Sequence, residues 1–364
     1  MSPLVSQASF AGPSEDPRQA PGEVKWADTA RREAFYAWLD PLVRPWGLEP
    51  HTLRLASADA SFRRYLRVSA SPRSLIIMDA PPGHEDLAAF VRVAALIERA
   101  GLMGPRVLSH DPTQGFALLT DLGDELLLEV LRQATPERAH ALMLQGLSTL
   151  VDWQCKVPAE GMGAWGATQW QSELSLFETW CVQREYQHHW DAKQAAQWQR
   201  VCALLVDSAA AQPMVAVHRD WMPRNLMLCG AELGILDFQD AASGPITYDV
   251  VSWLRDAFIT WEESQELDWA VRYWQRAREA GLPVERDFSE FWRQLEWMGL
   301  QRHLRILGVF CRLKHRDGKP QYAQDLPRFF GYATRVAMRY RDLHPLLPLL
   351  EPLSGASVQS GYTF

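Results

Sequence analysis

The 364-residue chain is 47% hydrophobic, carries 37 Lys and Arg against 44 Asp and Glu, and has a formal net charge of −7. That is enough apolar material for two lobes around substantial cores, and the charge excludes a general basic field for nucleic acid or an anionic membrane surface. Five scattered cysteines without a C-x-x-C pair fit neither a disulfide framework nor a zinc site, no run approaches the ~18 apolar residues of a membrane span, and no basic-then-apolar leader is present, so the reading is a cytoplasmic globular protein with reduced thiols.

Residues 1–27 are rich in Pro, Ser, Gly and Ala without periodicity and read as a mobile tail. From Asp28 to Trp46, Phe35, Trp38, Leu39 and Leu42 fall at helical spacing, and Pro45 marks the expected end. LRLASADASFRRYLRV then reads as two strands around a turn and SLIIMDAPP as a third, stopped by two prolines. EDLAAFVRVAALIERAG gathers Leu87, Phe90, Val91, Ala94, Ala95 and Ile97 on one helical face, and VLSHDPTQGFALLTDLG follows as a hairpin. Residues 28–120 therefore form a small, mainly antiparallel lobe with one prominent helix.

Beyond Asp124 the text turns to amphipathic helices, expected near 135–155, 170–188, 192–211, 262–280, 287–311 and 321–343, with residues 121–350 as a larger helical lobe and 351–364 as a second tail. A single strand-like stretch interrupts them, MVAVHRDWMPRNLMLCGAELGILDFQDA, read as a β pair. Within it VHRDWMPRN lies between two apolar runs, and Pro223 breaks any helix, so Asp220 and Asn225 belong to a loop. Asp237 follows at the end of the next apolar run. Asn225 and Asp237 offer the oxygen ligands that Mg²⁺ prefers, with phosphate and water completing the shell. Asp220 is then left to orient a hydroxyl and accept its proton during attack on a γ-phosphate.

His218, Asp220 and Asn225 resemble the H-x-D-x-x-x-x-N catalytic loop of the protein-kinase-like superfamily, and Asp237-Phe238 resembles its metal-binding Asp-Phe-Gly, with Gln239 in place of the glycine. That departure, together with PITYDVVSWLRD, is similar to the aminoglycoside phosphotransferase and choline kinase branch rather than to protein kinases. The stretches DASFRRYLRV, IIMDAPP, LLTDLGD and GLQRHLRILGVFCRLKHRDGKPQY resemble the sugar kinases of that branch, which phosphorylate N-acetylmuramate and N-acetylglucosamine at C1 in cell-wall recycling. The resemblance spans residues 30 to 345. It implies an α+β, bilobal protein-kinase-like fold with ATP between the lobes, Mg²⁺ as cofactor, and an amino sugar as acceptor, with neither nucleic acid nor membrane as partner.

The resemblance also implies a phosphate loop at Ser57 to Ser61, which has no glycine, and a phosphate-binding lysine where this chain has Met78. Ser57 and Ser61 would supply hydroxyls and Arg63 or Arg64 the charge, with alternation turning one of the two toward the nucleotide. Leu119 and Leu122 would line an adenine pocket, and Asp249 would cap a helix beneath the catalytic loop. For the acceptor, Arg224, Arg255, Asp256, Arg302 and His303 are expected to meet hydroxyls and a lactyl carboxylate. Two other readings follow from the same text: a kinase of this fold for an aminoglycoside, choline or homoserine, and a nucleotide-binding scaffold lacking the lysine.

Overall fold

The computed structural model describes Val24, Trp26 and residues 28–57, 63–83 and 86–354. These divide into two compact units, the described residues through Ala95 with Pro105–Leu122, and Leu96–Gly104 with the described residues from Gly123 onward.

In the first unit α1 (Thr29–Trp46) starts where the Asp28 carboxylate accepts the Arg31 N–H at 2.6 Å. It runs through Pro45, one residue beyond the expected end, and closes at Gly47, whose φ of 62° is the left-handed cap glycine takes without strain. Strands β1 (Glu49–Ser57), β2 (Arg64–Ala70) and β3 (Arg73–Asp79) follow, then α2 (Leu87–Arg99), β4 (Val107–Asp111) and β5 (Phe116–Thr120). The sheet is antiparallel throughout in the order β1-β2-β3-β5-β4. Alternation divides its faces: Leu66, Val68, Leu75, Ile77, Phe116 and Leu118 are buried with Phe35 and Leu39 of α1. Each such side chain contributes about 1.5–3 kcal/mol relative to exposure. Tyr65 pairs with Met78, and Ile76 with Leu119, on the opposite face.

The second unit begins with α3 (Leu127–Gln133), α4 (Pro136–Lys156) and α5 (Ala167–Leu176), the last continuing as a π-helical segment over Phe177–Glu185. After α6 (Ala192–Ala210), the strand-like stretch and the four residues that follow it form two antiparallel ladders rather than one pair. β6 (Met214–Val217) joins β9 (Ala242–Pro245), and β7 (Leu226–Cys229) joins β8 (Glu232–Ile235). α7 (Tyr248–Leu254), α8 (Glu263–Glu279), α9 (Phe288–His315), α10 (Leu326–Arg339) and α11 (Leu347–Ser354) complete it. The helix expected at 321–343 is broken into α10 between 3₁₀ turns at Pro320–Asp325 and Arg341–Leu346. The expected tail from 351 is corrected as well, because α11 continues to Ser354 with Leu353 buried; residues 355–364 lie outside the described residues.

α9 is the central element. Every residue from Gln294 to Leu304 is buried, so it shows no polar stripe to solvent there. Gly308 lets α9 approach the backbone where α5 passes into the π segment, since a Cβ there would overlap Leu176 and come within 2.6 Å of Phe177 N. Gly308→Ala is expected to destabilise the protein by roughly 1–3 kcal/mol despite alanine's better helix propensity. Denaturant unfolding checks this, and a variant as stable as wild type would show that the two helices can separate without cost.

Candidate active site

β6 delivers the chain to His218 and β7 carries it away from Asn225, so the intervening loop is anchored at both ends. His218 is fully buried, and burial pushes its pKa down and keeps the ring neutral. One tautomer satisfies both nitrogens: Nε2–H donates to Leu236 O at 2.8 Å, and Nδ1 accepts the Asp220 N–H at 3.3 Å. The imidazole therefore ties the loop to the segment that ends in Asp237. Arg219 has a φ of 75°, strained for a residue with a Cβ. Asp249 stabilises that turn from below, its carboxylate accepting His218 N–H at 2.6 Å and Arg219 N–H at 3.0 Å. Burial pushes the Asp249 carboxyl up to about 7, against the two N–H donors that favour its charged form.

The Asp220 side chain is half-buried. The backbone carbonyl of Asp220 accepts the Asn225 side-chain amide N–H at 2.9 Å, which leaves the amide oxygen of Asn225 as that side chain's acceptor. Leu236 N–H in turn donates to Asn225 O at 2.9 Å, drawing the two chain segments together. Asp237 is exposed, has a left-handed φ of 57°, and accepts from the Gln239 amide at 3.0 Å. Gln239, where the related motif has glycine, thus holds the carboxylate it follows. Asn225 and Asp237 thus offer two hard oxygen donors on chain segments joined by the Leu236–Asn225 backbone bond. Among the described residues no group of three or more His, Cys, Asp or Glu side chains forms a self-sufficient metal site. An amide oxygen with one carboxylate suits Mg²⁺, which keeps several waters or phosphate oxygens, better than it suits zinc or calcium.

A second cluster stands behind the loop. Glu173 of α5 accepts from Trp165 Nε1 at 3.1 Å, Gln301 Nε2 at 3.3 Å and Arg219 Nη2 at 3.4 Å, and lies 3.6 Å from Arg305 Nε. Sequence reasoning missed both Glu173 and Arg305. The available signal for Arg305 was its place one helical turn after Arg302 on α9.

The expected acceptor residues fall largely elsewhere. Arg255, only 3% exposed, is corrected to a structural ion pair, with Nε 2.9 Å from Glu266 and Nη2 3.1 Å from Glu296. Asp256 is buried and accepts Phe258 N–H at 2.7 Å and Ile259 N–H at 2.9 Å, so it turns the chain after α7. His303 is buried and stacked on Tyr332, its ring centroid 4.8 Å away, with burial holding its pKa well below the usual range. Arg302, 1% exposed, reaches the underside of the loop, with Nη2 3.7 Å from Met222 Sδ, and offsets the buried charges of Asp249 and Asp256. These four are interior because α9 and the end of α7 are packed on all sides. Arg224 is half-buried, with its guanidinium 5.0 Å from the centroid of Phe258.

In the first unit Arg64 belongs to the α1 face of the sheet, where it and Arg31 both pair with the buried Asp79. It is thereby turned away from the Met78 face. Asp121 takes Arg67, with Nε at 2.6 Å, and the Ser74 hydroxyl at 2.5 Å. Leu119 is buried on the Met78 face and Leu122 is half-buried after β5. Arg63 precedes β2 and is half-buried. Ser61 lies outside the described residues, as does the side chain of Ser57.

The family profile described as the Phosphotransferase enzyme family matches residues 52–288. The chain is 44% identical over 335 residues to the N-acetylmuramate/N-acetylglucosamine kinase of Pseudomonas aeruginosa, covering 90% of this chain and 98% of that one. It is 45% identical over 316 residues to the protein of the same description from Neisseria meningitidis serogroup B, covering 86% and 94%. Among solved structures an ADP-bound aminoglycoside phosphotransferase superposes with a TM-score of 0.54 at 12% identity, covering 85% of this chain and 99% of the other. At that identity the likeness shows the shared fold.

Proposed function

We propose that this chain, which belongs to the phosphotransferase enzyme family, is an ATP-dependent sugar kinase that phosphorylates N-acetylmuramate or N-acetylglucosamine at the anomeric C1 hydroxyl. The observation that carries the reading is identity of 44% and 45% over most of the chain to two kinases described for those sugars. The loop geometry supports it. Asp220 is half-buried and stands beside the amide of Asn225, where a sugar hydroxyl could be oriented and its proton accepted. Arg224 would line the acceptor side. On the first unit Arg63 would supply the charge that the missing lysine leaves at Met78, with Ser57 and Ser61 as hydroxyl donors and Leu119 and Leu122 against the adenine. No described helix is long and apolar enough to cross a membrane, and the proposed place of action is the cytoplasm, where ATP is supplied.

Asn225 and Asp237 would hold Mg²⁺, which when bound neutralises charge developing on the transferred phosphoryl group. The protein contributes the rest by positioning: Gln239 holds Asp237, Leu236 N–H holds the Asn225 carbonyl, and His218 keeps the two segments in register. Loss of outer partners of a metal already costs about 10- to 100-fold in affinity, so Asp237→Ala is expected to raise the Mg²⁺ concentration for half-maximal rate by about tenfold or more. Titration of turnover with Mg²⁺ at fixed ATP checks it, and an unchanged requirement would remove Asp237 from the metal site. Phosphorus NMR of the reaction with N-acetylmuramate tests the main reading. The expected product carries phosphate on C1; phosphate on C6 would refute the anomeric assignment, and no phosphorylated sugar would refute the sugar kinase itself.

A further inference from the structure

Arg302 and Arg305 lie one turn apart on α9, but only the second reaches solvent: its side chain is 25% exposed, while Arg302 is 1% exposed beneath the loop. The Arg305 Nε is 3.6 Å from Glu173, and its two terminal nitrogens form no hydrogen bond among the described residues. Asp220, Asp240 and Tyr248 are within its electrostatic reach. Glu173 already accepts from Trp165, Arg219 and Gln301, so one carboxylate is shared between two arginines. This arrangement sets the Nε edge of the Arg305 guanidinium toward Glu173 and leaves its two terminal nitrogens available. Such a fork matches a carboxylate in bidentate geometry.

The two acceptors of the proposed reaction differ in one group: N-acetylmuramate carries a lactyl carboxylate on the oxygen of C3, and N-acetylglucosamine a hydroxyl. Resting on that reading, we propose that Arg305 grips the lactyl carboxylate and so sets the preference between the two sugars. Glu173 acts through it as a positioning residue. The assignment moves the carboxylate grip from Arg255 and Arg302, both buried, to a residue whose side chain is partly exposed.

Steady-state kinetics of wild type, Arg305→Gln and Arg305→Lys with both sugars, and with N-acetylmuramate methyl ester, test this. Loss of a charge-assisted pair corresponds to about tenfold or more in affinity. Arg305→Gln is therefore expected to raise KM for N-acetylmuramate by that factor beyond its effect on N-acetylglucosamine, with kcat changing less. Arg305→Lys restores part of the difference, and the methyl ester abolishes the wild-type advantage over Arg305→Gln. Equal losses on both sugars, or none on either, overturn the assignment and leave the kinase reading standing. A wild-type enzyme that phosphorylates only N-acetylglucosamine does the same, whereas one that phosphorylates neither removes the acceptor reading and this assignment with it. Thermal unfolding of each variant separates a failed fold from a failed contact.

Discussion

Asp220→Asn is expected to lower kcat by roughly 10²- to 10⁴-fold with little change in stability. Asparagine is nearly isosteric, and the two hydrogen bonds that place residue 220 are made by its backbone: the N–H donates to His218 Nδ1 and the carbonyl accepts from Asn225. The loop should therefore keep its shape while losing a proton acceptor. An anomeric hydroxyl is more acidic than an ordinary alcohol, so Asp220 could contribute by alignment as much as by basicity, and the pH dependence separates the two. Loss of a base leaves a variant whose rate climbs with pH as the sugar hydroxyl ionises by itself; loss of alignment lowers the rate by a constant factor. Sugar-dependent ATP turnover across pH, with thermal unfolding as the control, measures both. Retention of near wild-type turnover would sink the assignment of Asp220.

Local patterns carried the first unit. Alternation around Leu66, Val68, Leu75 and Ile77 marks a sheet with one apolar face, and the structure places those residues against α1. The loop from His218 to Asn225 was equally readable, because apolar runs flank it and Pro223 excludes a helix. The interior of α9 was not. Gln301, Arg302 and His303 have the letters of a solvated face, and only packing by α5, the π segment, α6, α7 and α10 makes them core. Arg255 was misread for the same reason: Glu266 and Glu296, which offset its burial, lie 11 and 41 residues away. Glu173 shows the limit most clearly. WQSELSL contains no motif, and its meaning arises from Gln301, 128 residues distant, and from Arg219 and Arg305 meeting the same carboxylate. Burial of charge is a tertiary property, so spacing along the chain could suggest the chemistry of the loop but not the residues that hold it.

Asp249→Asn should weaken both the fold and the reaction, through backbone it supports rather than through substrate. The two oxygens of Asp249 accept one N–H each, from His218 and Arg219. An amide has a single acceptor oxygen and turns its NH₂ toward the other donor, leaving a buried N–H unpaired at a cost of about 1–3 kcal/mol. Arg219 then has less to hold its φ of 75°, and a displacement of Asp220 approaching 1 Å would cost on the order of 100-fold in turnover. The pH dependence gives a second readout. Burial raises the Asp249 carboxyl from 3.8 to about 7, so the folded state binds a proton more tightly than the unfolded chain. Its proton-linked contribution to stability is fully present below the unfolded value and is lost as pH rises to the folded one, by on the order of 4 kcal/mol across the window. Asparagine does not titrate. The advantage of wild type over Asp249→Asn in unfolding free energy is therefore expected to shrink as pH rises from about 5 to about 8, where the ionised carboxylate carries its full desolvation cost. A constant difference across that range would mean that Asp249 keeps one protonation state throughout, and that its two N–H donors outweigh burial in the folded protein.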